Sequence, residues 1–412
     1  MNLIVSGGVE RILCINSIDN FQDSVPIKLP LNPFYQNVIL NTEKRLLLMW
    51  QNQQIKIWKL KEDQSKRLVC KMTLSDPESV TSVAISKNGR YLAVARLSTI
   101  KLFELIEIEH GNKLQVVKVP SELLENMGAK LIQFADGQGL IVMVNVDNEV
   151  VSVKFNMNDD EDDESELSQF DDEQEPIEYE TTGSSNYTHL KINDSGNLGV
   201  LSSIKGAIDL IDLQSNTAKR LIKLNDVPTA INFNNNSDND SPDTVLVTTL
   251  DHKLLELTTD PTNSEQTLTP WSKKLAECLP QQFITLTGQP YGIFELSGKV
   301  WVWGSNWIAF FDTSCTPTAA STADGAAAGV GSTTPIKKRT RSGAAVAAAT
   351  ASPTKGKNHA DSTTGGKGFW FSSNYKSMLL FDKLSASELV VVERPVEDMP
   401  STPAFKLNKI II

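Results

Sequence analysis

Ile55-Lys56-Ile57-Trp58 and Ile100-Lys101-Leu102-Phe103 are one phrase written twice: apolar, polar, apolar, then a bulky residue, with 45 residues from Trp58 to Phe103. Ile208-Asp209-Leu210-Ile211 writes it again. Alternation of this kind marks a half-buried β-strand. A fixed step of about 45 residues, with short strands in each unit, is the signature of a β-propeller of WD-repeat type. One such unit cannot bury its apolar faces alone, so neighbours must stack.

The most complete unit runs from Val80 to Leu105. Val80-Thr81-Ser82-Val83-Ala84-Ile85-Ser86 alternates, and Lys87-Asn88-Gly89-Arg90 brings a turn pair that favours positive φ. Tyr91-Leu92-Ala93-Val94-Ala95 is nearly all apolar, as an inner strand between two blades should be. Upstream, 45–50 and 53–60 form a hairpin turning at Asn52-Gln53, and 2–6 with 9–16 form another around Gly7-Gly8. Downstream, Leu140–Val144 pairs with Val150–Phe155, and Leu198–Ser202, after the turn at 193–197, pairs with Ala207–Leu213. Val245–Thr249 pairs with Lys253–Leu257, and Val300–Trp303 with Trp307–Phe311. The last set is Phe369–Phe371, Met378–Phe381 and Leu389–Val392. Residues 265–284 lack the alternation, and apolar spacing at 271, 275 and 278–279 predicts a short helix.

Closing strands near 58, 103, 153, 211, 256 and 310 count six blades. A seventh is expected from the two ends, the hairpin at 2–16 pairing with strands after 368, because an open ring leaves sheet edges and apolar blade faces in water. The alternative for that hairpin is the tail of an upstream propeller. The expected fold is all-β, a single seven-bladed WD40-like β-propeller with two long disordered insertions. Blades occupy 1–156 and 182–312, an acidic insertion 157–181, a basic Ala/Ser/Thr/Gly-rich insertion 313–367, and the closing blade with its tail 368–412.

The formal charge of −11 over 412 residues resolves into −13 from 157–181, +5 from 313–367 and −3 for the rest. Blocks of opposite charge flanking a near-neutral body are typical of interaction segments. Cys14, Cys70, Cys278 and Cys315 are far apart with no paired spacing. Asn186-Tyr187-Thr188 and Asn239-Asp240-Ser241 match the glycosylation triplet, but the start is a strand without a cationic leader. No apolar run approaches the ~20 residues that cross a bilayer. A reducing intracellular compartment and no membrane partner are the expectation.

An enzyme needs a nucleophile with a base, paired carboxylates or a metal cluster. His110, His189, His252 and His359 are isolated, and no nucleophile elbow, phosphate-binding Gly loop or zinc-protease motif is present. Ser6-Gly7-Gly8 reads as a tight strand turn. Asp238-Asn239-Asp240-Ser241-Pro242-Asp243 has oxygen ligands but lacks the turn Gly and closing Glu of a calcium loop, and reads as solvated. Catalysis, a cofactor, a metal site and a small-molecule substrate are therefore not expected.

Function is instead sought in the tethers. Asp159–Glu164 is too charged to bury. Either it only solubilises, or it docks on a basic partner with Phe170 and Tyr179 as apolar anchors. Ser168, with Asp171 three residues later, suits an acid-directed kinase. Lys337, Lys338, Arg339 and Arg341 form a compact basic run, which serves as a nuclear address or a phosphate-backbone contact. No aromatic interleaves with it, so bases would go unread. Thr334 and Ser352 each open a Ser/Thr-Pro-x-Lys pattern, and a phosphate of about −1.5 to −2 there would weaken a hold on nucleic acid.

Leu3-Ile4-Val5-Ser6-Gly7-Gly8, Arg45-Leu46-Leu47-Leu48 and Ile55–Leu60 resemble the opening of the second propeller in cirhin-type proteins, WD-repeat subunits of the U3 small nucleolar RNA-associated complex. More specific are Tyr375–Phe381, then Leu389–Val392 running into Glu393-Arg394-Pro395, then Pro403-Ala404-Phe405-Lys406, which are similar to that family's terminal signature. Trp307–Asp312 keeps the same order before the low-complexity stretch. The resemblance covers the second of two tandem propellers, and Asn408-Lys409-Ile410-Ile411-Ile412 departs from the basic run with which the family tends to end. It implies a non-enzymatic nucleolar scaffold in the early complex that binds the 5′ external spacer of pre-ribosomal RNA by weak backbone contacts. Such a scaffold assembles the small-subunit processome with other early subunits, with a link to transcription of ribosomal DNA. On the residues alone, a cytoplasmic propeller adaptor, such as a trafficking coat subunit or a ubiquitin-ligase substrate receptor, is the alternative.

Overall fold

Short strands reverse at residues that tolerate positive φ. Asn52 (φ 54°) turns Leu46–Gln51 back into Gln54–Leu60, and Gly89 (φ 74°) does the same between Ser82–Ile85 and Tyr91–Ala95. Gly has no Cβ to clash there, and Asn bears the left-handed region better than most residues. Every strand pair among the described residues is antiparallel in consequence. The computed structural model describes residues 3–7, 12–19, 27–30, 36–108, 111–155, 175–181, 186–234, 243–259, 267–314, 346–350 and 368–394.

β1 (Leu3–Gly7), β2 (Ile12–Ser17) and β3 (Ile27–Pro30) form a sheet of their own. Sheet 1 contains β4 (Val38–Asn41), β5 (Leu46–Gln51), β6 (Gln54–Leu60) and β7 (Lys66–Thr73). Sheet 2 contains β8 (Ser82–Ile85), β9 (Tyr91–Ala95), β10 (Ile100–Ile108) and β11 (Lys113–Val119), followed by the short helix α1 (Glu122–Glu125). Sheet 3 contains β12 (Ala129–Ala135), β13 (Leu140–Asn145), β14 (Val150–Lys154) and β15 (Ile177–Tyr179). Sheet 4 contains β16 (Tyr187–Ile192), β17 (Leu198–Ser203), β18 (Ala207–Asp212) and β19 (Thr217–Lys223). Sheet 5 contains β20 (Pro228–Asn234), β21 (Thr244–Thr249) and β22 (Leu254–Thr258), then come α2 (Pro270–Glu277) and α3 (Gln281–Ile284). Sheet 6 begins with β23 (Pro290–Leu296), β24 (Lys299–Gly304) and β25 (Ile308–Asp312). β26 (Val346–Thr350) then leaves for the next sheet before β27 (Phe369–Ser372) completes sheet 6. Sheet 7 orders β26, β29 (Glu388–Glu393) and β28 (Met378–Ser385) side by side.

Apolar runs in the second strands exist because both faces of these strands are covered. Leu46 and Leu48 enter a cluster with Val83, Leu92 and Val94 of sheet 2, while Leu47 between them packs with Leu380 and Val392 of sheet 7. Tyr91 and Ala93 face sheet 3 in the same way, against Ile141 and Met143, and Leu140 and Val142 face sheet 4. Val245 and Val247 then pack on sheet 4, and Leu246 on sheet 6. This is the period of two expected of a pleated strand, repeated between successive sheets.

The innermost strands meet in succession: β4 with β8, then β12, β16, β20, β23 and β28, and β28 also meets β4. Specific ties accompany the contacts. Asn41 Nδ2 donates to Ser86 O (2.8 Å), Thr81 Oγ1 to Ala129 O (2.6 Å), Asn232 Nδ2 to Ile293 O (3.1 Å) and Met378 N to Ser305 O (2.7 Å). Between sheets 3 and 4 the backbones come so close that a Cβ on Gly137 would meet Ser195 O at 2.0 Å. The architecture is all-β, built of mostly four-stranded antiparallel sheets, and compatible with a propeller.

Several expectations need correction. Among the described residues the hairpin over 2–16 does not pair with strands after 368: β2 pairs with β3, and the late strands pair with β25, β26 and one another. The reason is that Met378, Leu380, Val390 and Val392 share one apolar cluster with Val38, Leu47 and Leu60, so β28 lies on β4 without help from the hairpin. The strands read as closing ones at 58, 103, 153 and 211 are followed by a further outer strand, β7, β11, β15 or β19. Within the segment read as wholly irregular over 313–367, Val346–Thr350 is a strand on β29. The helix predicted around 271–279 is present as α2. Thr269 caps it by accepting from Ser272 N (3.2 Å), with Pro270 in the first turn.

Candidate functional site

Two regions concentrate polar chemistry: the space enclosed by the innermost strands, and the outer hairpin of sheet 1. Ile39, Ser82, Gln133, His189, Asn232, Ile293 and Asp382 each bring one innermost strand to the first of these, a cavity of about 110 Å³. That volume suits a few ordered waters and is below the few hundred Å³ typical of small-molecule sites.

Four titratable side chains line this cavity: His189, Lys191, Tyr291 and Asp382. His189 Nδ1 lies 2.9 Å from Thr188 Oγ1 and 2.8 Å from Ser202 Oγ, and the ring also bonds the backbone of Thr229 in sheet 5. Burial, with the Lys191 ammonium beside it, pushes the His189 pKa down to about 4. The ring is therefore neutral at physiological pH, and its hydrogen bonds hold β16 to its own sheet and to the next. Burial pushes the Asp382 carboxyl up, while Lys191 and a bond from Lys383 N (2.8 Å) act against that. Ser202 is fully buried and cannot meet a substrate. Among the described residues no group of His, Cys, Asp and Glu is placed to hold a metal ion, and no helix is long and apolar enough to cross a membrane.

The second region is cationic. Residues 54–73 hold six Lys or Arg and two carboxylates. Register places Lys56 opposite Lys71, and Lys59 opposite Arg67. On the face with Lys56, Trp58 stands opposite Leu68, and the Lys66 ammonium lies 6.0 Å from the centre of the Trp58 ring. Lys59 reaches Glu107 (3.5 Å) and Arg67 donates to Asn112 Oδ1 (2.8 Å), both toward sheet 2. Residue-by-residue reading missed this surface, because a near-neutral total concealed it. Counting charge hairpin by hairpin is the signal that finds it.

Of the residues singled out from sequence, Lys337, Lys338, Arg339, Arg341, Thr334, Ser352, Ser168 and Pro395 lie outside the described residues, as do Phe170 and the run 238–242. Glu393 and Arg394 are described: Glu393 Oε1 accepts from Lys376 N (3.1 Å), and Arg394 N donates to Ser377 O (2.7 Å). These residues of the terminal signature thus fasten the end of β29 to the chain entering β28. Tyr179 is not an exposed anchor. It is buried on β15, with its hydroxyl 3.0 Å from Ser152 Oγ.

No protein-family model matches the chain. It is 35% identical over 332 residues to the Saccharomyces cerevisiae protein described as U3 small nucleolar RNA-associated protein 4, covering 76% of this chain and 40% of that protein. The Schizosaccharomyces pombe protein of the same description is 23% identical over 409 residues, covering 97% of this chain and 55% of that protein. The chain thus spans about half the length of these curated relatives. On that identity and coverage, and with strand-rich sheets that fit, the chain belongs with the cirhin-type proteins, the relatives of U3 small nucleolar RNA-associated protein 4.

Proposed function

We propose that the chain is a non-enzymatic WD-repeat scaffold of the nucleolus, working in the early pre-ribosomal complex that assembles the small-subunit processome. The observation that carries this reading is the 35% identity, over 76% of the chain, to a protein described as U3 small nucleolar RNA-associated. Its structural counterpart is a single closed ring of seven blades, sheets 1 to 7. Support for closure comes from the unbroken succession of innermost-strand contacts and from Arg45, which pairs with Glu388 across 343 residues of sequence.

A ring of this kind buries its blade faces and leaves loops and strand edges for partners. Those partners are other early processome subunits and the 5′ external spacer of pre-ribosomal RNA, held by backbone contacts. The small cavity and the neutral, fully bonded His189 favour adhesion over turnover. The basic run 337–341 is assigned to nuclear address or phosphate contact, Thr334, Ser352 and Ser168 to phosphorylation, and a role in transcription of ribosomal DNA accompanies the scaffold.

Tagging the chain in cells and purifying it tests the reading. A nucleolar focus and co-purification of U3 RNA with other processome proteins are expected. An even cytoplasmic signal, with coat or ubiquitin-ligase components recovered instead, would overturn it.

A further inference from the structure

We propose that the outer hairpin of sheet 1, β6 with β7, is a contact surface for the phosphate backbone of single-stranded RNA. This rests on the RNA-associated role argued above and gives it a location. Directly opposed residues in an antiparallel pair have Cβ atoms about 4.5–5.5 Å apart, where like charges disfavour the pairing. This hairpin carries two such pairs, Lys56 with Lys71 and Lys59 with Arg67. Neither helps the sheet to form.

Several cations elsewhere in the sheets find carboxylates: Arg90 with Glu104 (2.8 Å), Lys101 with Asp76 (2.6 Å), Arg220 with Asp209 (2.8 Å). Among the described residues no ion pair or hydrogen bond is made by the side chains of Lys56 and Lys71, and both are exposed. Lysines on an edge strand can serve to block unwanted strand pairing. That explains Lys66, Arg67 and Lys71 on β7. It does not explain Lys56 and Lys59 on β6, which is already paired on both sides.

The face that carries Lys56 and Lys71 also orders what lies beyond them. Next along the strands come half-buried Trp58 and Leu68, the latter 40% exposed, and then Lys66 over the indole. Same-face residues are about 6.8 Å apart along a strand. Cations for a backbone beside an aromatic side chain is the combination single-strand binders use. An acidic peptide would meet the charge but gain little from the indole.

The test is fluorescence polarisation of a labelled oligouridylate with the full chain over a range of salt. Lys56→Gln with Lys71→Gln should lower the slope of log affinity against log salt by about 1.4, or about 0.7 for each phosphate left without its lysine. If both proteins bind alike at ~1 M salt, that is about 25-fold weaker binding at ~0.1 M. Lys273→Gln with Lys274→Gln, the same charge change on exposed positions of α2, should leave binding unchanged. Equal thermal midpoints for all three establish that folding is untouched. Wild-type binding that the Lys56/Lys71 variant retains would refute the surface while leaving the processome role intact. Failure of the wild type to bind RNA would overturn both. Capture of polyglutamate in preference to oligouridylate, abolished in the same variant, would reassign the surface to an acidic protein.

Discussion

Removing the Glu388 charge interrogates the join between the first and last sheets. Arg45 Nη1 lies 2.6 Å from Glu388 Oε2 and Nη2 lies 3.3 Å from Oε1, a two-pronged pair with side chains 22% and 15% exposed. At ~4 Å between charge centres and an effective dielectric constant of ~20, the attraction is about 4 kcal/mol. Holding two long side chains costs about 1–2 kcal/mol each, and partial loss of hydration takes more, so a net of about 1 kcal/mol remains. A double-mutant cycle of Arg45→Met and Glu388→Gln, read by denaturant unfolding through tryptophan fluorescence, should return a coupling of that size near neutral pH. Arg45, by its hydrogen bond and charge, holds the Glu388 carboxyl below the usual range. The stabilisation is thus present above the ordinary glutamate pKa and fades as pH falls through the lowered folded value. Coupling indistinguishable from zero at neutral pH would refute the pairing and remove one of the two supports for a closed ring.

Four further outcomes follow from individual contacts. Asp209, 1% exposed, accepts from Tyr187 Oη (2.6 Å) and Arg220 Nε (2.8 Å), so Asp209→Ala strands both and should cost about 3 kcal/mol in chemical denaturation; a cost below about 1 would contradict the pairing. Phe283 on α3 is fully buried and meets His252, Trp307, Phe311 and Phe369 edge-on, so Phe283→Ala should lose about 3–5 kcal/mol, and a smaller loss would show that the helix is only loosely docked. His189 binds its proton more weakly folded, at about 4, than unfolded, at about 6.5, so stability should fall as pH drops through that window; His189→Gln should flatten the profile, and an unchanged slope would show that the ring is solvated. Replacing 315–345 by a short linker should leave the thermal midpoint unchanged, whereas extending the deletion through 367 removes β26 and should lower it; equal midpoints would deny β26 a part in sheet 7.

What could be read in advance was whatever local chemistry decides. Gly89 and Asn52 announced turns, Tyr91–Ala95 announced a strand covered on both faces, and Thr269-Pro270 with Trp271 and Leu275 announced a helix. The outer strands were hidden because they pack from one side only. Lys113–Val119 exposes four of its seven residues, which makes it look like a loop, and Ile177–Tyr179 sits at the end of an acidic run that seemed unable to fold. The meeting of β28 with β4 lies between residues more than 300 apart, and no window of sequence carries that information.

The cationic hairpin shows most plainly why register escapes a one-dimensional reading. Between Ile57 and Trp58 the pairing of β6 with β7 slips by one residue, so that Cys70 faces Ile57 but Leu68 faces Trp58, and Val69 is extra. Val69 and Cys70 both enter the cluster shared with sheet 2. From that point every β7 side chain has changed sides. Without the slip Lys66 would point away from Trp58, and Arg67 would leave Lys59 for the opposite face. A bulge that draws one extra apolar residue inward thus sets which cations gather beside the indole and which oppose one another. The surface proposed for RNA is therefore a product of core packing one strand away, and substitutions at Val69 should disturb it even though Val69 itself never reaches solvent.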